Sequence, residues 1–145
     1  MADAIAQQIM DAIGIRLAGI TVVNGYASNA GNNVFADRVT PLIETELPGI
    51  IYRDPDEDEE ALTMGYLHLT MKVEIDVMAY GATAPKDVRN VLVADVKKAV
   101  RVDLSWGGLA LDTRITGRSM QIEHMERLIA GAVIRLEIDY REATL

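Results

Sequence analysis

Fifteen residues constrain this chain more than any others. From Tyr66 to Tyr80 it reads Tyr-Leu-His-Leu-Thr-Met-Lys-Val-Glu-Ile-Asp-Val-Met-Ala-Tyr. Leu67, Leu69, Met71, Val73, Ile75 and Val77 share one parity, and His68, Thr70, Lys72, Glu74 and Asp76 share the other. Strand side chains alternate between faces, so this pattern predicts a long strand with one dry and one wet face. Parallel strands are usually buried on both faces, so one-sided alternation points to antiparallel pairing. At about 3.3 Å per residue, a straight segment of this length spans roughly 50 Å. That exceeds the need of a small domain, and predicts either a bend or an extension used outside the core.

A second alternating run, Gly131 to Arg141, sets Ile134, Leu136, Ile138 and Tyr140 against Arg135, Glu137, Asp139 and Arg141. The two runs are expected to cover the same core. Directly opposed, Glu74 and Asp76 would meet Glu137 and Asp139, so the register is expected to interleave Lys72 and Arg135 among them.

Helical periodicity appears twice. Ile5, Ile9, Ile13 and Leu17 make an apolar stripe within Ala2 to Leu17, with Asp3 as a cap or dipole partner and Gly14 as a weak point. After Gly81, which ends the long strand, Pro85 suits the first turn of a second helix. Its core positions are Val88, Val91, Leu92, Val96, Ala99 and Val100, and Lys86, Asp87, Arg89, Asp95, Lys97 and Lys98 are placed on the wet side. Shorter extended segments are expected at Ile20–Val23, Val34–Val39, from Gly49 and at Leu109–Thr116, separated by turns at Asn24-Gly25 and Leu47-Pro48-Gly49. The order of elements predicts an α+β fold: a mainly antiparallel or mixed β-sheet with two main helices packed on one face.

The 145 residues suggest one domain, large enough to bury about 68% of its unfolded surface. No cysteine occurs, which excludes disulfides, thiolate metal sites and nucleophilic cysteine chemistry. No apolar run approaches membrane-spanning length, and the start of the chain lacks the basic-then-apolar pattern of a secretory signal. The formal charge of −8 disfavours phosphate backbones as partners. Six of those charges, Asp54, Asp56, Glu57, Asp58, Glu59 and Glu60, fall within seven residues. This run is expected to form an acidic, mobile loop over about 53–62. It starts like a calcium loop, but Glu59 stands where glycine is needed and Gly65 where the bidentate glutamate is needed.

Catalytic patterns are missing. His68 and His124 are the only histidines and have no ligand spacing. Gly25–Gly31 is no phosphate loop, and no nucleophile elbow or basic-aromatic stripe occurs. No cofactor or metal is expected. Trp106, beside two glycines, is expected to close the core from a loop.

One resemblance organises these pieces. The chain combines an N-terminal amphipathic helix, Leu47-Pro48-Gly49 leading into a strand, and a long strand ending Val77-Met78-Ala79-Tyr80. A second helix, Trp106-Gly107-Gly108-Leu109-Ala110 and a last strand with Leu136-Glu137-Ile138-Asp139-Tyr140 follow. This layout resembles the minor tail protein U family, the tail terminators of long-tailed bacteriophages, over most of the chain. The resemblance implies a non-enzymatic α+β subunit of the virion tail, assembled in the host bacterial cytoplasm. It implies a ring, commonly a hexamer, that caps the tail tube, stops its growth and meets a head-completion protein. Self, the tail tube protein and the head-completion protein are the implied partners, with neither nucleic acid nor membrane among them. The surfaces that serve such contacts are expected on the acidic run, Asp54, Asp56, Glu57, Asp58, Glu59 and Glu60, and on the wet face of the long strand, at His68, Lys72, Glu74 and Asp76. The alternative readings are another head–tail connector or neck protein, or a small-ligand-binding α+β domain.

Overall fold

The structure is a computed structural model that describes residues 4–40, 42–61, 65–80, 85–124 and 128–143. The proposed cap Asp3, the strand stop Gly81 and residue 62 of the acidic segment lie outside the described residues. Helix α1 spans Ile5–Ala18 and α2 spans Pro85–Arg101. The strands are β1 Val34–Ala36, β2 Gly49–Ala61, β3 Tyr66–Tyr80, β4 Asp112–His124 and β5 Leu128–Ala143. They form one five-stranded mixed sheet in the order β1-β2-β3-β5-β4. Only β1 and β2 are parallel neighbours; the other three pairings are antiparallel.

The alternation in β3 translates directly into burial. Leu69, Met71, Val73, Ile75, Val77 and Ala79 are buried, and the residues between them are half-buried. Ile134, Leu136, Ile138 and Tyr140 of β5 are buried on the same face. Ile9, Ile13 and Leu17 of α1, with Leu92, Val93, Val96, Ala99 and Val100 of α2, complete this single core. Helix α2 packs over β3 and β5, and α1 lies over β1 and β2, so the α+β architecture with helices on one face is present. The register interleaves charge as expected, with Lys72 opposite Glu137 and Glu74 opposite Arg135.

Several local expectations need correction; Val91, expected in the core stripe of α2, is 39% exposed, and the segment expected as extended from Leu109 becomes strand only at Asp112. Ile20–Val23 forms no strand. Ile20 is fully buried, its carbonyl accepts the Gly31 N–H at 2.9 Å, and a 3-10 turn at Val22–Asn24 ends on Gly25 at φ 90°. The strand expected over Val34–Val39 stops at Ala36, because Asp37 takes φ 54° while its N–H still bonds the Tyr52 carbonyl at 2.9 Å. Asp95 is not on the wet side. It is 4% exposed and accepts from Ala27 N, Ser28 N and Ser28 Oγ at 3.0, 2.8 and 2.5 Å, pinning the segment after the Gly25 turn to α2. Gly14, the expected weak point of α1, also has a packing role, since an added Cβ would stand 3.0 Å from Tyr52 Cζ and closer still to the Tyr52 hydroxyl.

The largest correction concerns the acidic run. The segment expected as a loop over about 53–62 is strand where it is described, pairing with β3 from Arg53 opposite Glu74 to Ala61 opposite Leu67. The physical reason is cross-strand neutralisation. Asp56 and Asp58 stand opposite Lys72 and Thr70, with Lys72 Nζ 4.0 Å from Asp56 and 3.4 Å from Asp58. Opposite charges across a ladder favour pairing that the sequence of one strand alone argues against.

Candidate assembly surface

The sheet face away from the helices carries a charged lattice across four strands. Arg53 of β2 donates to Asp76 at 2.7 Å and to Glu74 at 3.4 Å on β3. Thr70 Oγ1 donates to Asp139 at 2.8 Å, and His68 Nε2 lies 3.6 Å from the same carboxylate. Arg114 of β4 bonds both Asp139 and Glu137, the latter at 3.1 Å. These contacts hold the Asp139 carboxyl below its ordinary range, with the Arg114 hydrogen bond the largest cause, and push the Arg114 guanidinium further toward its charged form. Asp76 moves the other way: burial outweighs Arg53 and raises its pKa.

Two bulges shape this face. β2 uses four residues, Arg53 to Asp56, against three of β3, Glu74 to Lys72, and Pro55 falls inside the extra length. β4 inserts Thr116 between Ile115 opposite Leu136 and Gly117 opposite Arg135. Both irregularities therefore flank the same rungs of β3 and β5. Bulges bend their strand and sharpen its twist. Between them lies a shallow trough of about 450 Å³, floored by Lys72, Glu74, Arg135 and Glu137 and walled by Pro55 and Thr116. Gly117 leaves room for the Arg135 guanidinium, whose nearest nitrogen would be 3.2 Å from a Cβ there.

The bulge in β2 also sorts the acidic run. Asp56, Asp58 and Glu60 stand opposite the wet-face residues Lys72, Thr70 and His68. Glu57 and Glu59 stand opposite Met71 and Leu69 and so lie on the helix-side face. Tyr140, 1% exposed, donates its hydroxyl hydrogen to Glu57 there. Asp54 faces a recess of about 280 Å³ with Asp11, Asp37 and Tyr52, and burial, then the Asp37 and Glu57 charges, raises its pKa.

Of the ten candidate residues, Asp56, Asp58, Glu60, His68, Lys72, Glu74 and Asp76 share one face, and Asp54, Glu57 and Glu59 do not. Sequence reasoning missed Arg53, Arg114 and Asp139 as members of the lattice. Arg114 had a legible signal, since Thr113 and Ile115 bracket it with apolar or small partners in a segment read as extended. Most of this lattice is satisfied internally, so its charges serve register first. The sheet margins differ. Among the described residues nothing pairs with the outer side of β4, and β1 covers β2 only at Ile50–Tyr52.

Among the described residues no group of three His, Asp or Glu side chains is arranged to hold a metal ion. Trp106 is buried on the opposite side of the sheet, its Nε1 donating to Thr113 Oγ1 at 2.8 Å and the Arg16 guanidinium 3.9 Å above its ring. No family model and no curated protein matches this chain.

Proposed function

We propose that this protein is a structural subunit of a bacteriophage tail that assembles into a ring, caps the tail tube and joins it to the head, as in the tail terminators that its layout resembles. The observation that carries this reading is the sheet with two open margins. A subunit of a closed ring must present two different surfaces, one receiving the other. The outer side of β2 beyond Tyr52 and that of β4 are such a pair: unpaired among the described residues, at opposite margins of one sheet, and different in charge.

The work assigned to the protein is recognition, and no catalytic role is proposed. The tail tube protein and a head-completion protein are its further partners. Solution mass and electron microscopy with tail tubes test the reading. A ring seated on one end of the tube, with tube length fixed when the protein is present, is expected. A chain that stays monomeric at high concentration and with tubes, and never caps them, overturns it.

A further inference from the structure

We infer that neighbouring copies join by antiparallel pairing of β2 from one copy with β4 of the next, giving a sheet continuous across subunits, with Glu59 facing Arg118 across the junction. This rests on the proposed ring and specifies its interface. The backbone directions come first. Ile50 N–H bonds the Asn33 carbonyl and the Tyr52 carbonyl accepts from Asp37, so these β2 residues direct their backbone groups toward β1 and away from β3. Alternation along β3, which pairs with β5 without a break from Tyr66 to Tyr80, carries that phase past the β2 bulge. Glu57, Glu59 and Ala61 therefore direct both N–H and C=O outward. The same alternation carried through β5 leaves Thr113, Ile115 and Arg118 with outward groups on β4. The Asp139 carbonyl, which accepts the Leu111 N–H, faces β4, as this phase requires of the β5 residue opposite Asp112.

Strand polarity agrees. β2 and β5 run one way, β3 and β4 the other, so β2 placed beside β4 of an equally oriented copy is antiparallel to it. Side-chain faces agree as well. Glu59 stands opposite Leu69 and Arg118 opposite Ile134, and both partners belong to the helix-side face. Residues that exchange backbone bonds across an antiparallel pair share a face, so outward-directed Glu59 and Arg118 are able to oppose each other without turning the sheet over. Both side chains are exposed, and Glu57 on the same edge is already engaged by Tyr140.

Charge selects the partner. Pairing β2 with another β2 sets six carboxylates against six, a strong repulsion that blunts this edge against itself. β4 carries Arg114 and Arg118 against two acids, Asp112 and Glu123, at its two ends, so it lacks the run of like charge that β2 carries. A head-to-tail contact is therefore favoured over a two-fold one, and it is the heterologous geometry that closes into rings.

The test is reciprocal charge reversal in the full chain. Glu59→Arg and Arg118→Glu are each expected to keep the circular dichroism of the fold and to weaken self-association, alone or on tubes, by roughly tenfold or more. Mixed one to one, they are expected to assemble again, because each junction then joins one substituted edge to its complement or two native charges of opposite sign. In the assembled wild type the amides of Glu59 and Arg118 are expected to gain protection from hydrogen exchange. Single variants that assemble like wild type, or amides that stay unprotected in the ring, overturn the edge pairing and leave the terminator reading standing. A wild-type chain that never assembles removes both.

Discussion

Tyr140 of β5 reaches across β3 to donate its hydroxyl hydrogen to Glu57 of β2, eighty-three residues away in sequence. The bond ties the acidic strand to the core. Tyr140 is buried beside Leu69, and the β2 bulge turns Glu57 onto the same face, where its carboxylate meets the one polar atom of that ring. Glu57→Ala should leave the phenol without this acceptor and cost about 1–3 kcal/mol. Glu57→Gln keeps an acceptor and should cost less. Urea denaturation of the two variants checks the order, and equal losses would show that the bond contributes nothing.

The same contact predicts a response to base. Burial first, then the Glu57 bond and the charges of Glu57, Glu142 and Glu59, raise the Tyr140 pKa above its ordinary value. Burial raises that of Tyr52 too, with Asp11 and Asp37 adding. A raised folded-state pKa means that the unfolded chain releases its proton first. The stabilisation is present in full below the unfolded value of about 10 and is lost as pH rises toward the folded one. Melting temperature should fall above that pH, and less steeply in Tyr140→Phe. Identical slopes in the two proteins would rule out Tyr140 as the source.

Acid acts elsewhere. Asp103 accepts from Ser105 Oγ, Ser105 N and Gly107 N at 2.6, 2.9 and 2.8 Å, and these bonds, the Ser105 hydroxyl first, hold its pKa down to about 2. This turn carries Trp106 at φ 53° and Gly107 at φ 74°, both in the left-handed region. A lowered folded-state pKa gives stabilisation that is present above the unfolded value of about 3.9 and is lost as pH falls toward the folded one. Trp106 is the only tryptophan. Its fluorescence should therefore shift as pH falls through that window, and Asp103→Asn should show the shift already at neutral pH.

How much of this was legible in the sequence depends on whether a residue's partner lay on its own element. The alternation of β3 and β5 gave their faces, and the need to separate like charges gave the register of Lys72 and Arg135. The strand character of the acidic run was illegible because it depends on Lys72 and on the β3 backbone opposite, which no local propensity reports. Asp95 was misplaced for a related reason. Helical spacing beside two lysines suggests solvent, but its carboxylate is satisfied by Ala27 and Ser28, nearly seventy residues earlier. The wet-face candidates were found from β3 alone, so Arg53, Arg114 and Asp139, which complete the lattice from other strands, were missed.

Ile75 tests the face assignment on which the core rests. It is fully buried at the centre of β3, paired to Tyr52 on one side and Ile134 on the other. Ile75→Asp places a carboxylate between Tyr52 and Ile134 in the apolar core, and the cost, read by urea denaturation, should reach several kcal/mol.

Gly14 supplies a sharper test, because helix propensity and packing give opposite signs. Alanine in a helix interior is favoured over glycine by about 1 kcal/mol, so Gly14→Ala in an unobstructed helix should stabilise. Here the Tyr52 ring lies against the glycine, with Cζ 3.0 Å from the position of an added Cβ and the hydroxyl nearer. Tyr52 is buried and belongs to the core, so its ring has little room to retreat. Gly14→Ala should therefore destabilise. Tyr52→Phe removes the nearest atom, so the pair should be less destabilising than the sum of the two single changes, a coupling that a double-mutant cycle measures in denaturant. Additive effects would show that α1 and β2 are not in the close contact that sets the helix on the sheet.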